Sequence, residues 1–204
     1  MNKVYVEFPN QSYYKMFREM GFEIVFSPEA ADLICFTGGS DVSSHFYEEP
    51  AHKFTHSDIH RDQKEAKLFN WCLNNKKKMV GICRGGQFLN VMSGGIMYQH
   101  VTNHTRYHDL VDLETGETIY VSSTHHQMMK PSDKALIVAV ANQKGTREWY
   151  ENQIFYREIS EDDYEVLYYE HTKCLCFQPH PEFDDMPQMR RYFSDLLTRF
   201  HSFA

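Results

Sequence analysis

A chain of 204 residues with 42% hydrophobic and 15% aromatic residues can bury the core of a single domain spanning 1–204, and disorder is excluded as a default. A formal net charge of −7 argues against nucleic acid as a partner, because a phosphate backbone calls for a basic face. No apolar run approaches the ~18 residues that cross a bilayer, and five irregularly spaced cysteines argue against a secreted disulfide framework, so a cytoplasmic protein is expected.

Residues 3–8 alternate like a strand, and Met1-Asn2-Lys3 leads into them as no secretory leader does. Apolar residues recur at helical intervals over 11–20; Phe22–Phe26 and Leu33–Phe36 follow as strands. A loop containing Pro50 precedes a helix predicted from about His60 to Asn74, which opens on Arg61, Asp62 and Glu65. That acidic start suits a helix N-terminus but assigns the Arg-Asp pair no chemical role. Lys76-Lys77-Lys78 reads as a solvated helix end, Met79–Ile82 as a buried strand and Arg84–Met92 as a short helix. Strands alternating with helices predict an α/β fold, with a mostly parallel central sheet flanked by helices.

The second half changes character. Leu110–Leu113, Thr118–Val121, Leu136–Ala141, Glu165–Tyr169 and Cys174–Phe177 are strand-like with little helix between them, which predicts an antiparallel extension. The charged and aromatic stretch from Thr146 to Asp162 reads as an insertion: a lid or rim, a partner-docking surface, or plain surface structure. Met189, Tyr192, Phe193, Leu196, Leu197 and Phe200 form the apolar stripe of a closing helix over 186–203.

The chemistry concentrates at Gly81-Ile82-Cys83-Arg84-Gly85 and, far along the chain, at His180-Pro181-Glu182. A nucleophile on a sharp strand-to-helix turn needs small neighbours, and the glycines supply them. In an extended segment residues two apart point the same way, so Glu182 can orient His180 while that ring faces the thiol. Pro181 restricts both its own φ and the geometry of His180. Thr37-Gly38-Gly39-Ser40-Asp41 follows the strand Leu33–Phe36. Gly39 and Cys83 therefore both fall beyond carboxyl ends of predicted strands, where ligands bind in open α/β sheets.

These segments, with Arg61-Asp62, Gly94-Gly95, Ser122-Ser123-Thr124-His125-His126-Gln127 and Phe177–Phe183, occur in an order that resembles the class I glutamine amidotransferase superfamily, and within it the gamma-glutamyl hydrolase branch. The resemblance spans roughly residues 33–183. It implies a flavodoxin-like sheet of the class I glutamine amidotransferase type, with Cys83 as nucleophile, His180 as general base and acid, and Glu182 as its orienting partner. It further implies an oxyanion hole from the Gly39 and Arg84 amides. Gln87, His125, His126 and Gln127 become contacts to a small-molecule γ-glutamyl substrate, and no cofactor is implied. The activity so implied is hydrolysis of a γ-glutamyl amide through a thioester. Two alternatives keep the fold: a glutaminase subunit delivering ammonia to a separate synthetase, and a non-catalytic glutamine sensor, which has no need of an intact Cys83, His180 and Glu182.

Histidines at 52, 56 and 60, and at 100, 104 and 108, are spaced to share a helical face and bind a metal. Pro50 and the glycine pair make helices there improbable and no HExxH or CxxC accompanies them, so no metal site is expected. Cys35, Cys72, Cys174 and Cys176 read as core residues.

Overall fold

The computed structural model describes residues 1–141, 145–160, 162–183 and 185–203. In chain order the elements are β1 (Lys3–Glu7), α1 (Gln11–Glu19), β2 (Glu23–Val25), β3 (Leu33–Phe36), α2 (Ile59–Asn74), β4 (Lys78–Ile82) and α3 (Arg84–Met92). Then come β5 (Ile96–Tyr98), β6 (His100–Val101), β7 (His108–Asp112), β8 (Thr118–Val121), β9 (Met128–Lys130) and β10 (Leu136–Ala141). The chain continues through β11 (Thr146–Glu151), β12 (Ile154–Ile159), β13 (Asp163–Tyr169), β14 (Cys174–Phe177) and α4 (Pro187–His201).

A nine-stranded sheet runs β2-β1-β3-β4-β14-β13-β10-β7-β8. From β2 to β14 every neighbouring pair is parallel. From β14 to β8 every pair is antiparallel. The sheet thus joins the expected parallel α/β half and its antiparallel extension edge to edge.

Helices cover both faces of the parallel half, which is why β3 and β14 read as unbroken apolar runs buried at every position. Met16 and Phe17 of α1 and Met189, Phe193, Leu196 and Leu197 of α4 pack on Val4, Leu33, Val80 and Leu175. On the other face Phe69 and Cys72 of α2 and Phe88 and Leu89 of α3 pack on Ile34, Met79, Cys174 and Cys176. Helix starts follow local chemistry: Asn10 caps α1, Asp58 caps α2 by accepting from the His60 and Arg61 amides, and Pro187 opens α4.

The insertion is a hairpin. β11 pairs with β12 on one side and β6 on the other, and Trp149 packs with Tyr98, Val101 and Met128 in a small satellite core. β12 is exposed along its whole length. Among the described residues no helix is long and apolar enough to cross a membrane.

Candidate active site

Three adjacent parallel strands, β3, β4 and β14, end on the same edge and deliver Gly39, Cys83 and His180. The register sets Phe177 opposite Ile82, and the Cys83 amide donates to the Phe177 carbonyl at 2.8 Å. Strand pairing, not chain proximity, therefore closes the distance between thiol and imidazole.

Cys83 caps α3 with φ 52° and ψ −115°. A side chain in this region is strained by about 1–3 kcal/mol, which persists only where surroundings enforce it. The enforcement is steric: a Cβ on Gly85 would lie 2.1 Å from the Phe36 carbonyl oxygen, and one on Gly81 would lie 2.3 Å from the Gly85 backbone. Only glycine lets the turn pack against β3, and that packing aims Cys83 off the strand end. The thiol residue is 8% exposed.

His180 Nδ1 lies 2.7 Å from Glu182 Oε1. Its backbone amide donates to Ser122 Oγ at 3.1 Å, and Phe183 stacks on the ring at 4.8 Å with an interplanar angle of 5°. The other ring nitrogen, Nε2, is buried without a hydrogen bond and is left to the Cys83 side. A Cβ on Gly38 would meet His180 Cε1 at 3.3 Å, Tyr13 Oη at 3.3 Å and Cys83 Cβ at 3.7 Å, so one glycine borders both partners. Burial alone lowers the His180 imidazole, but interaction with Cys83 and then with Glu182 outweighs it and pushes the group up to about 10.

The Gly38-Gly39 loop is held by groups to which the sequence assigned no chemical role. The Gly38 amide donates to Tyr13 Oη at 3.0 Å. Arg61 donates from Nη1 to the Gly38 carbonyl at 3.0 Å and from Nη2 to the Thr37 carbonyl at 2.9 Å. A Cβ on Gly39 would lie 2.1 Å from Arg61 Nη1, so the clamp requires glycine there. Arg61 Nε donates to Glu65 Oε1 at 2.9 Å, while the other Glu65 oxygen and Asp62 Oδ1 take the Arg84 guanidinium. Asp62 Oδ2 also accepts from the Ser43 amide at 2.9 Å. Two guanidiniums and two carboxylates thus balance in charge and tie the Gly39 loop to the first residue after Cys83. Asp62 and Glu65 are fully buried, where an unpaired charge would be costly. This is the structural role of the Arg-Asp element.

The remaining expected site residues cluster around that edge with separate roles. Gln87 donates from Nε2 to the Gln127 carbonyl at 2.9 Å and to Gln178 Oε1 at 3.2 Å, so it braces the 125–127 stretch from within. The His125 side chain is buried, with Nδ1 2.8 Å from the Gln127 carbonyl and Nε2 toward Glu165. His126 is half-buried against Asp41 at 3.1 Å, which raises its imidazole, and Gln127 Nε2 donates to Thr55 Oγ1 at 3.1 Å. The hairpin borders this side. Phe155 stacks on His52, His52 on His100, and the Asn152 and Gln153 amides donate to Glu49. A cleft of about 280 Å³ lies between His52, Lys53, Glu148, Tyr150 and Phe155.

The sheet order and the Cys83 turn define the fold of class I glutamine amidotransferases. The solved structures agree. A glutamine amidotransferase from Thermotoga maritima superposes with a TM-score of 0.62 at 17% identity, over 97% of this chain and 84% of that one. PurLQS from Thermotoga maritima gives 0.67 at 16% identity, over 96% and 97%. More narrowly, residues 27–155 match the peptidase C26 family, and the chain belongs to that family. The glutamine amidotransferase-like protein YvdE of Lactococcus lactis is 30% identical over 180 residues, covering 72% of this chain and 76% of YvdE. The family match contains Gly39 and Cys83 and stops short of His180.

Proposed function

We propose that this protein hydrolyses a γ-glutamyl amide through a γ-glutamyl thioester on Cys83. The Cys83 thiolate attacks the γ-carbonyl carbon and a C–S bond forms. The tetrahedral intermediate collapses with loss of the C–N bond, and the departing amine or ammonia takes the proton from His180. Water then gives a proton to His180 as it attacks the thioester; the C–S bond breaks, and glutamate leaves. Glu182 keeps the imidazole in the tautomer and orientation that both steps use.

The observation that carries this reading is His180 itself: one ring nitrogen fixed by a buried carboxylate, the other unpaired beside a strained, glycine-enclosed cysteine. Amides of Gly39 and Arg84 serve as oxyanion donors in this scheme. The start of α3 adds a favourable dipole. The Arg61-Glu65-Arg84-Asp62 network is what keeps the two donors in register. Main-chain groups of 125–127, braced by Gln87, receive the glutamyl α-carboxylate and amino group, and the 146–159 hairpin faces the leaving group.

The test is release of glutamate from glutamine and from a panel of γ-glutamyl amides, with covalent labelling by a diazo-ketone glutamine analogue. Both should vanish in Cys83→Ala; labelling at another thiol overturns the assignment. A second reading keeps the same chemistry at Cys83 and feeds the ammonia to a separate synthetase. Low turnover alone that rises strongly with a partner chain would select it.

A further inference from the structure

On the antiparallel side of the molecule, His104, His108, His125 and Glu165 meet in the interior, each at most 5% exposed. Glu165 Oε1 lies 3.4 Å from His104 Nδ1, 3.3 Å from His108 Nε2 and 3.7 Å from His125 Nε2. None of these approaches is a hydrogen bond: the three nitrogens and both Glu165 oxygens are buried without partners.

The far side of each ring settles what the near side presents. His104 Nε2 lies 2.6 Å from Asp163 Oδ2, a carboxylate also held by Arg147 Nε at 2.9 Å and Nη2 at 2.8 Å. His125 Nδ1 faces the Gln127 carbonyl at 2.8 Å, and His108 Nδ1 faces the Arg106 carbonyl at 3.4 Å. Carboxylates paired with arginine and backbone carbonyls only accept, so each neutral ring carries its proton on that far nitrogen. The three near nitrogens then offer lone pairs toward a carboxylate. Four acceptors converge with no protein donor among the described residues. A single added proton can bridge one nitrogen to Glu165 and leaves the others unmatched. Protonating all three rings would bury three cations around one free carboxylate, since Asp163 is already balanced by Arg147.

We propose that His104, His125 and Glu165 hold a divalent transition-metal ion of the zinc class, with His108 facing the same Glu165 oxygen, at a site distinct from the Cys83 thiol. A tetrahedron with ~2.0 Å metal–ligand bonds has edges of roughly 3.3 Å, close to the 3.4 Å and 3.7 Å that separate Glu165 Oε1 from His104 Nδ1 and His125 Nε2. The ligand atoms of His104, His125 and Glu165 also lie within 4.8 Å of one another. Each histidine already has the second hydrogen bond that fixes a metal-binding ring, and imidazole nitrogen with carboxylate oxygen suits zinc. Full burial of all three ligands makes the ion structural. It fastens the segments carrying His104 and His125 to Glu165 on β13. This inference is independent of the hydrolytic reading.

Metal content is the test. Protein isolated without chelator should contain about one zinc-class ion per chain by mass spectrometry. In a Cys83→Ala background, which removes the thiol as a competing ligand, dipicolinate should strip the ion and lower Tm by roughly 5 °C or more. One equivalent of Zn²⁺ should restore it. X-ray absorption at the zinc edge should show nitrogen and oxygen neighbours without sulfur, and Co²⁺ should give the intense visible bands of a tetrahedral site. Glu165→Gln and His104→Asn should lose the ion. Wild-type protein that retains no metal after incubation with Zn²⁺ and gel filtration, with Tm indifferent to chelator, overturns the proposal. So does wild-type stoichiometry in a folded Glu165→Gln variant.

Discussion

The two halves of the central sheet bury charge in opposite ways. In the parallel half, Arg61, Asp62, Glu65 and Arg84 neutralise one another, and each guanidinium has a carboxylate in contact. In the antiparallel half, three imidazoles surround Glu165 with near nitrogens and oxygens unmatched. The first arrangement is balanced in charge as protein, with only the Arg84 Nε left without a partner among the described residues, and locks a backbone loop beside the thiol. The second asks for a cation. The contrast teaches that buried polar residues in one fold can serve as scaffold or as ligand, and that hydrogen-bond accounting separates the two cases.

Substitutions can break this contrast. Cys83→Ala should abolish turnover, by at least ~10⁴-fold, while leaving Tm nearly unchanged, because a buried thiol of that size contributes little packing. Retained glutamate release would remove Cys83 from the chemistry. Glu65→Gln takes away the carboxylate shared by both guanidiniums and should cost about 3–5 kcal/mol in a urea titration, as for other broken buried pairs. A loss under 1 kcal/mol would mean the network is not the scaffold described. Gly39→Ala forces a Cβ against Arg61 and should lower kcat by about 100- to 1,000-fold through a displaced oxyanion donor. His180→Ala should reduce turnover by at least ~100-fold while ligand binding survives. At the mild end, Phe155→Ala on the exposed hairpin should leave stability within about 0.5 kcal/mol of wild type. It should shift the preference between bulky γ-glutamyl amides and glutamine by about 2- to 10-fold in kcat/KM.

Acidity sharpens the same comparison. His180 is raised to about 10, above the ordinary histidine value of about 6.5. Its protonated form therefore contributes stability that is fully present below about 6.5 and is lost as pH rises through about 10. Removing the attraction in Glu182→Gln should lower the His180 midpoint in an imidazole NMR titration. An unmoved midpoint would deny Glu182 its orienting role.

Much of the fold was legible locally. Helix and strand limits in the parallel half fall within a residue or two of those expected, since β3 and β14 are apolar throughout, β4 is buried from Met79 on, and α1 and α2 carry capping residues. The short strands β5, β6 and β9 escaped, because two or three residues carry no periodicity. The 146–162 stretch gave no topology of its own, and its pairing with β6 is long-range. The histidine series at 100, 104 and 108 suggested a helical face, and its rejection rested on the absence of a helix there. The structure has no such helix either, yet His104 and His108 meet each other and His125 through loops and strands. The expectation of no metal weighs helical spacing and the HExxH and CxxC patterns, and does not consider ligands gathered from separate segments.

The amino-acid order by itself determined the turn at Cys83, because glycines at 81 and 85 admit a backbone path that no side chain allows. The His180-Glu182 pairing was expected from an extended tripeptide, but residues 181–182 form a turn in which the Phe183 amide donates to the His180 carbonyl at 3.2 Å, and it is this turn that brings Glu182 Oε1 to His180 Nδ1. Only the tertiary structure decided which distant groups share a strand edge or a buried centre: Tyr13 and Arg61 on the Gly38 loop, Glu165 among three imidazoles. Those contacts arise from strand order and helix packing, and neither is written in the spacing of residues along a chain.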